Sequence, residues 1–189
     1  MKRILLFAVL ATAAILSSCT PKAADPVEQA IVSEILSMPQ GFSKVTFLNC
    51  EMIDSTTFAQ ELDRRVKLFE TKRDADGKLL LKYTQEGKPR NAALKNESYR
   101  RDLEILRSLD SLRAASAGIL DEIAYYDYRF SADADGEESG KMQFRDAYAA
   151  VTPDFEVIGL TAQKKDLHKG LGKVIPGYLE LLRGESEEE

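Results

Sequence analysis

The stretch Ile123-Ala124-Tyr125-Tyr126-Asp127-Tyr128-Arg129-Phe130-Ser131-Ala132 decides the fold. Tyr126, Tyr128 and Phe130 fall on every second residue, the period of a strand with one apolar face. Met142, Phe144, Tyr148 and Ala150 resume the alternation after a polar connection, Asp133-Ala134-Asp135-Gly136-Glu137-Glu138-Ser139-Gly140. Phe155 to Thr161 follows Thr152-Pro153-Asp154, residues that suit a tight turn. Three strands in a meander are therefore expected.

Upstream of that meander, Ile105, Leu109, Leu112, Ser116 and Ile119 recur at 4-3-4-3 spacing, with Leu103 and Leu106 widening the stripe. This predicts a long helix over about 96–119 whose apolar face lies against the strands that follow. Leu79, Leu81 and Tyr83 alternate like a strand, while Leu79-Leu80-Leu81 suits a helical turn equally well. Phe58, Leu62, Val66 and Phe69 make a helical stripe, opened by Thr57 and Gln60 at capping-box spacing. Asp74-Ala75-Asp76-Gly77 is expected to stop that helix. Lys44 to Ile53 reads as a strand apolar on both faces and so well covered. Val27, Ala30, Ile31, Ile35 and Met38 predict a first helix over 26–38, ended by Pro39-Gln40-Gly41.

Downstream, Lys164 to Arg183 reads as a helical segment interrupted near Gly170, Gly172 and Pro176-Gly177, and Gly184 to Glu189 as a solvated acidic tail. Helices first, a strand meander late and no regular strand–helix alternation predict an α+β domain over 27–183. Its N-terminal helices and one long helix pack on an antiparallel sheet. This element order resembles the cystatin-like or nuclear-transport-factor-like roll of small lipoproteins of the Bacteroides type. The resemblance implies a curved sheet and assigns no residue role.

The chain opens Met1-Lys2-Arg3, continues through an apolar run from Ile4 to Leu16, and closes with Ser17-Ser18-Cys19. A membrane span needs roughly 20 apolar residues, so the shorter run fits a removable export signal over 1–18. Leu16-Ser17-Ser18-Cys19 resembles the lipobox of bacterial lipoproteins, which implies cleavage before Cys19 and lipid on its thiol. Each buried methylene contributes about 0.8 kcal/mol, so two or three acyl chains form a lasting anchor. Residues 19–26 are then a lipidated tether. Thr20 places no acid beside the cysteine, and the expectation is a lipid-anchored envelope protein on the outer membrane, facing the periplasm.

Loss of Lys2 and Arg3 with the signal moves the net charge from -5 to -7. An acidic body excludes nucleic acid as a partner, since phosphates demand a basic surface. About 170 remaining residues suffice for one core without staples. Lipid on Cys19 leaves Cys50 as the free thiol, so no disulfide is available.

A cysteine–histidine nucleophile would have to use Cys50 and His168, and Cys50 in an apolar strand is expected to be a small buried hydrophobe. No Gly-x-Ser-x-Gly turn supports serine chemistry. One histidine and one free cysteine do not make a zinc site, so no cofactor or metal is expected. Asp133, Asp135, Glu137 and Glu138 beside Gly136, and Asp74 and Asp76 beside Gly77, echo a calcium loop. The bidentate glutamate position falls on Met142 or Tyr83, so both read as polar turns. His168-Lys169-Gly170-Leu171-Gly172-Lys173 lacks the spacing of a phosphate loop and reads as a glycine-loosened helix with Leu167, Leu171, Val174 and Ile175 buried.

The aromatic set Tyr126, Tyr128, Phe130, Phe144 and Tyr148, with Tyr125, is the candidate ligand pocket or else the core under a helix. Asp127, Arg129, Arg145 and Asp146 supply its polar groups or cross-strand pairs. No catalytic residue is assigned: Glu137 and Glu138 are adjacent, and adjacent acids point apart. The expected function is non-enzymatic binding of an envelope protein or a small-molecule ligand at the membrane. The alternative is a hydrolase acting on envelope material.

Overall fold

A computed structural model describes residues 25–136 and 140–183. The signal segment, Cys19 with its tether up to residue 24, Glu137, Glu138 and Ser139, and the acidic tail 184–189 lie outside the described residues.

The fold is α+β. Helix α1 (Pro26–Ser37) leads to strand β1 (Phe42–Thr57), which runs without a loop into helix α2 (Phe58–Gln85). A short turn reverses the chain into α3 (Pro89–Ala115), and the meander follows as β2 (Ile123–Gly136), β3 (Gly140–Val151) and β4 (Val157–Thr161). The chain closes through α4 (Lys164–Leu167), a 3₁₀ turn at Leu171–Val174 and α5 (Tyr178–Arg183). The sheet order is β1-β2-β3-β4, with every neighbouring pair antiparallel.

Helix α1 starts where the sequence places it: Asp25 caps the Val27 amide at 2.9 Å, and Pro26 occupies the first turn, where its missing N–H costs nothing. Val27, Ile31 and Ile35 bury against Phe130, Ala132, Ala134, Ala147 and Ala149 on one sheet face. The opposite face packs Tyr125, Ala150 and Ile158 against Leu167 and Leu171. Helical segments therefore cover both faces.

The largest departure from the sequence pattern is the helix pair α2–α3. Gly77 does not stop α2. The Tyr99 ring of α3 lies 3.3 Å from where a Gly77 Cβ would be, so the missing side chain lets the two helices approach. Asp76 is held by Lys95 at 2.7 Å and Asp74 by Arg73 at 2.7 Å, so the acids that read as a turn are ion-paired on helix surfaces. The roughly 1 kcal/mol that a helical glycine costs is outweighed by this packing. The segment Lys78 to Tyr83 is accordingly helical. Helix α3 also begins earlier than its apolar stripe, at Pro89, and ends at Ala115. Its stripe meets α2, and Leu62, Phe69, Ile105 and Leu109 form a core with Ile175 and Tyr178 rather than with the meander.

Strand β1 is longer than its apolar run and is not well covered: Leu48 is 55 % and Met52 59 % exposed. It is an edge strand, and its register slips between Phe47 and Asn49, which throws Leu48 outward. Bulges of this kind discourage edge-to-edge pairing. A second irregularity sits in β3, where Phe144 pairs with Ala132 and Ala147 with Phe130, so two residues oppose Ser131. Asp146 takes up the extra length at φ 47, and its amide donates to the Ser131 hydroxyl at 3.2 Å.

Close packing at Gly172 locks the C-terminal segment. A Cβ there would lie 2.4 Å from the Tyr178 ring, which is itself buried. Gly172→Ala is expected to lower stability by about 1–3 kcal/mol through overpacking. Gly118→Ala, with nothing within 4 Å, should change it by less than about 0.5 kcal/mol. Thermal unfolding followed by circular dichroism separates the two.

Candidate functional site

Buried charge concentrates where the α2–α3 pair meets the sheet. Thr57 caps α2 in a complete capping box: its hydroxyl accepts from the Gln60 amide at 3.3 Å and the Gln60 side chain accepts from the Thr57 amide at 2.9 Å. The next free amides of the helix, Phe58 and Ala59, donate to the carbonyls of Glu122 and Leu120. These bonds fix the first turns of α2 over the start of β2. One turn further on, Glu61, Arg64 and Arg65 point at the sheet.

Glu61 is wholly buried. Its Oε2 accepts from the Tyr125 hydroxyl at 2.7 Å and from Arg64 Nη1 at 2.5 Å. Arg64 also reaches the Tyr125 oxygen. Arg65 is 4 % exposed, and its Nη2 lies 2.6 Å from Glu61 Oε1, outside hydrogen-bond geometry, so that contact is one of charge alone. The same Nη2 donates to the His168 carbonyl at 2.7 Å. The His168 imidazole meets Asp127 at 2.7 Å between Nε2 and Oδ2. Asp127 is wholly buried, while the His168 side chain remains 24 % exposed. The network thus joins α2, β2 and the end of α4, with the Tyr125 and His168 rings 5.8 Å apart. Burial and the neighbouring Glu61 charge both push the Tyr125 hydroxyl above its ordinary pKa, so it stays a donor. Glu61 Oε1, Arg65 Nε and Asp127 Oδ1 have no hydrogen-bond partner among the described groups.

An imidazole held by a buried carboxylate is how an oriented general base is built. Asp127 fixes the ring from one side, leaving the exposed edge for a proton acceptor's work. No Ser, Thr or Cys side chain among the described residues hydrogen-bonds to it. Cys50 lies on the other sheet face, packed beside α1, and its thiol is pushed up to about 12 by burial and then by Glu28 and Asp25. The cysteine–histidine pair is therefore not assembled.

The aromatic candidates separate. Tyr128, Phe130 and Phe144 share the α1 face; Phe130 is fully buried, 5.7 Å from the Phe47 ring and 6.0 Å from that of Phe144. Tyr126 continues their phase, partly buried at the start of the strand. Tyr148 packs on the opposite face with Ala150 and Ile158, because the extra residue at Asp146 shifts the alternation by one. Among the polar candidates, Arg129 pairs with Glu51 and Arg145 with Asp133, both at the surface, while Asp127 alone is buried. Asp135 lies 4.0 Å from Lys141. Among the described residues no three His, Cys, Asp or Glu side chains are grouped to hold a metal.

Glu61, Arg64 and Arg65 were not flagged by the sequence pattern. Their signal is Arg65 itself, which falls inside the stripe Leu62, Val66, Phe69 with an acid four residues before it.

Comparisons with known protein families, with curated proteins and with solved structures yield no match for this chain.

Removing Glu61 leaves Arg65 charged and uncompensated in the interior and strands the Tyr125 hydroxyl. Glu61→Ala is expected to cost about 3–5 kcal/mol of stability, the range for breaking a buried pair from one side. Chemical denaturation measures it, and Glu61→Gln, which keeps an acceptor for Tyr125, should cost less.

Proposed function

We propose that this chain is an envelope lipoprotein, anchored by acyl chains on Cys19, whose domain is a non-enzymatic module binding a partner protein or a small ligand. The observation that carries the reading is Leu16-Ser17-Ser18-Cys19 placed directly after a charged start and an apolar run. The described domain begins at Asp25, six residues beyond Cys19, so a short tether would hold it near the lipid surface. Among the described residues no helix is long and apolar enough to cross a membrane, and anchoring rests on the acyl chains. The binding half of the reading is supported by an open groove of about 1480 Å³ along α3 and α5, floored by Ile105, Leu112, Leu181 and Leu182. The roll-like curvature expected from element order belongs to the same reading.

Intact mass of membrane-fraction protein tests the anchor. Wild type is expected at the mass of residues 19–189 plus acyl chains, and Cys19→Ala without them. An unlipidated wild type would sink the reading.

A hydrolase acting on envelope material is the second reading, favoured by the His168–Asp127 pair. If His168 is a general base, His168→Gln should abolish turnover of envelope polymers by roughly 10²–10⁴-fold while leaving the fold intact. Equal, negligible release of product by wild type and variant removes this reading.

A further inference from the structure

The charge of this chain is unevenly spread. From Lys72 on α2 to Arg101 on α3 it carries nine Lys and Arg against four Asp and Glu, in a chain of net charge -5. The remaining described residues carry fourteen basic against twenty-one acidic side chains. The basic stretch is also the part of the helix pair that stands clear of the body. The core that the pair shares with Ile175 and Tyr178 ends at Phe69 on α2 and Ile105 on α3. Beyond Phe69, α2 continues for sixteen residues to Gln85, about 24 Å at 1.5 Å per residue. Charges are screened over about 8 Å at physiological salt, so the acidic body does not cancel the field at the hairpin end. Lys78, Arg90, Arg100 and Arg101 hold no ion pair among the described residues. Two large apolar side chains stand among these cations: Leu81 is 60 % and Leu94 58 % exposed. Gly77 faces the Tyr99 ring across the pair, with Leu81 four residues after the glycine and Leu94 five before the tyrosine. On antiparallel helices this sets the two leucines at nearly the same height.

We propose that this hairpin end is a docking surface for an anionic lipid bilayer, its lysines and arginines meeting headgroup phosphates while Leu81 and Leu94 enter between the headgroups. Charge complementarity names the sign of the partner: cations without ion pairs are attracted to an acidic leaflet, and the attraction fades within a Debye length of it. The leucines name its kind. Lys78, Leu81, Lys82, Lys88 and Arg90 lie outside the α3–α5 groove, and leucines set singly among charges offer a protein partner little area to bury. A fluid interface accepts such leucines one at a time, with the lysine stems lying over the apolar layer and their ammonium groups in water. Nucleic acid also presents phosphates, but its unpaired bases stack on exposed aromatic rings, and Tyr83 and Tyr99 of this stretch are half-buried. The surface is distinct from the acyl anchor and does not depend on it.

The test is co-sedimentation with lipid vesicles. All three buried cores lie within residues 25–183, so residues 19–189 carrying Cys19→Ala keep the whole folded domain without the apolar leader or a lipid that would mask the arm. Binding is expected to phosphatidylcholine vesicles holding about 30 % phosphatidylglycerol in about 0.05 M salt, and to be at least about tenfold weaker in about 0.5 M salt or on phosphatidylcholine alone. Lys78→Glu with Arg90→Glu should weaken it by at least about tenfold. Leu81→Ser with Leu94→Ser, which leaves every charge in place, should weaken it roughly three- to tenfold. Lys44→Glu with Lys165→Glu makes the same change of net charge at exposed sites on the body and should bind like the parent; circular dichroism checks each fold. A parent that leaves the acidic vesicles unbound overturns the proposal, as does equal loss of binding in the body variant, which would make net charge the cause. Binding that polyglutamate abolishes and the leucine variant leaves unchanged also overturns it, making a soluble polyanion such as an acidic protein segment the partner. Each outcome is separate from the acyl anchor, which the mass measurement decides.

Discussion

A wholly buried carboxylate, Glu61, has to be neutralised where a helix enters a sheet without a loop, and much of the molecule is arranged around that requirement. Two arginines from its own helix and a tyrosine hydroxyl from β2 converge on it. Replacing such a group by well-packed hydrocarbon is often neutral or stabilising, so burial of charge here is not an efficient source of stability. It supplies direction. Only one placement of α2 over β2 brings Tyr125 to Glu61, and only one path for the chain after α4 brings the His168 carbonyl to Arg65 and its ring to Asp127. A core of leucines and alanines, such as those flanking the network, would tolerate several placements.

That dependence explains which parts of the fold were legible. Elements whose signal is local were readable: the α1 start at Pro26, the capping box at Thr57 and Gln60, the order of the three meander strands, and the breaks at Gly170, Gly172 and Pro176; the connection expected over Asp133 to Gly140 is strand as far as Gly136. Elements decided by a distant partner were not. Asp74-Ala75-Asp76-Gly77 has the composition of a turn, and only Tyr99 and Lys95, more than a helix turn past the reversal, make it helix. Leu48 and Met52 look like core until β1 proves to be an edge strand.

The candidate site shows the same division more sharply. Periodicity of two grouped Phe144 with Tyr148, and a single added residue at Asp146 set them on opposite faces, because the side-chain phase of a strand changes with every one-residue slip. A positive φ at an aspartate is allowed but carries no sequence signature of its own. Conversely, Asp127 looked like one of several surface charges and is the one that is buried. Its neighbours in alternation, Tyr125 and Arg129, differ completely in burial, so pattern alone could not choose between them.

Placing the polar network at the root of the arm also bears on what the arm can do. The network fixes only the first turns of α2; beyond Phe69 the two helices are held by each other, by the half-buried Lys95–Asp76 pair and by exposed pairs such as Lys88–Glu86. Exposed pairs of that kind contribute little and fade with salt. An anchored root and a lightly held far end make a lever whose orientation is set by the body but whose surface is free to meet a partner. The leucines exposed along it, Leu68, Leu81 and Leu94, lie among lysines and arginines rather than in a continuous apolar patch. Such a surface stays soluble when alone, since the charges interrupt it, and gains burial only against a partner that neutralises those charges first.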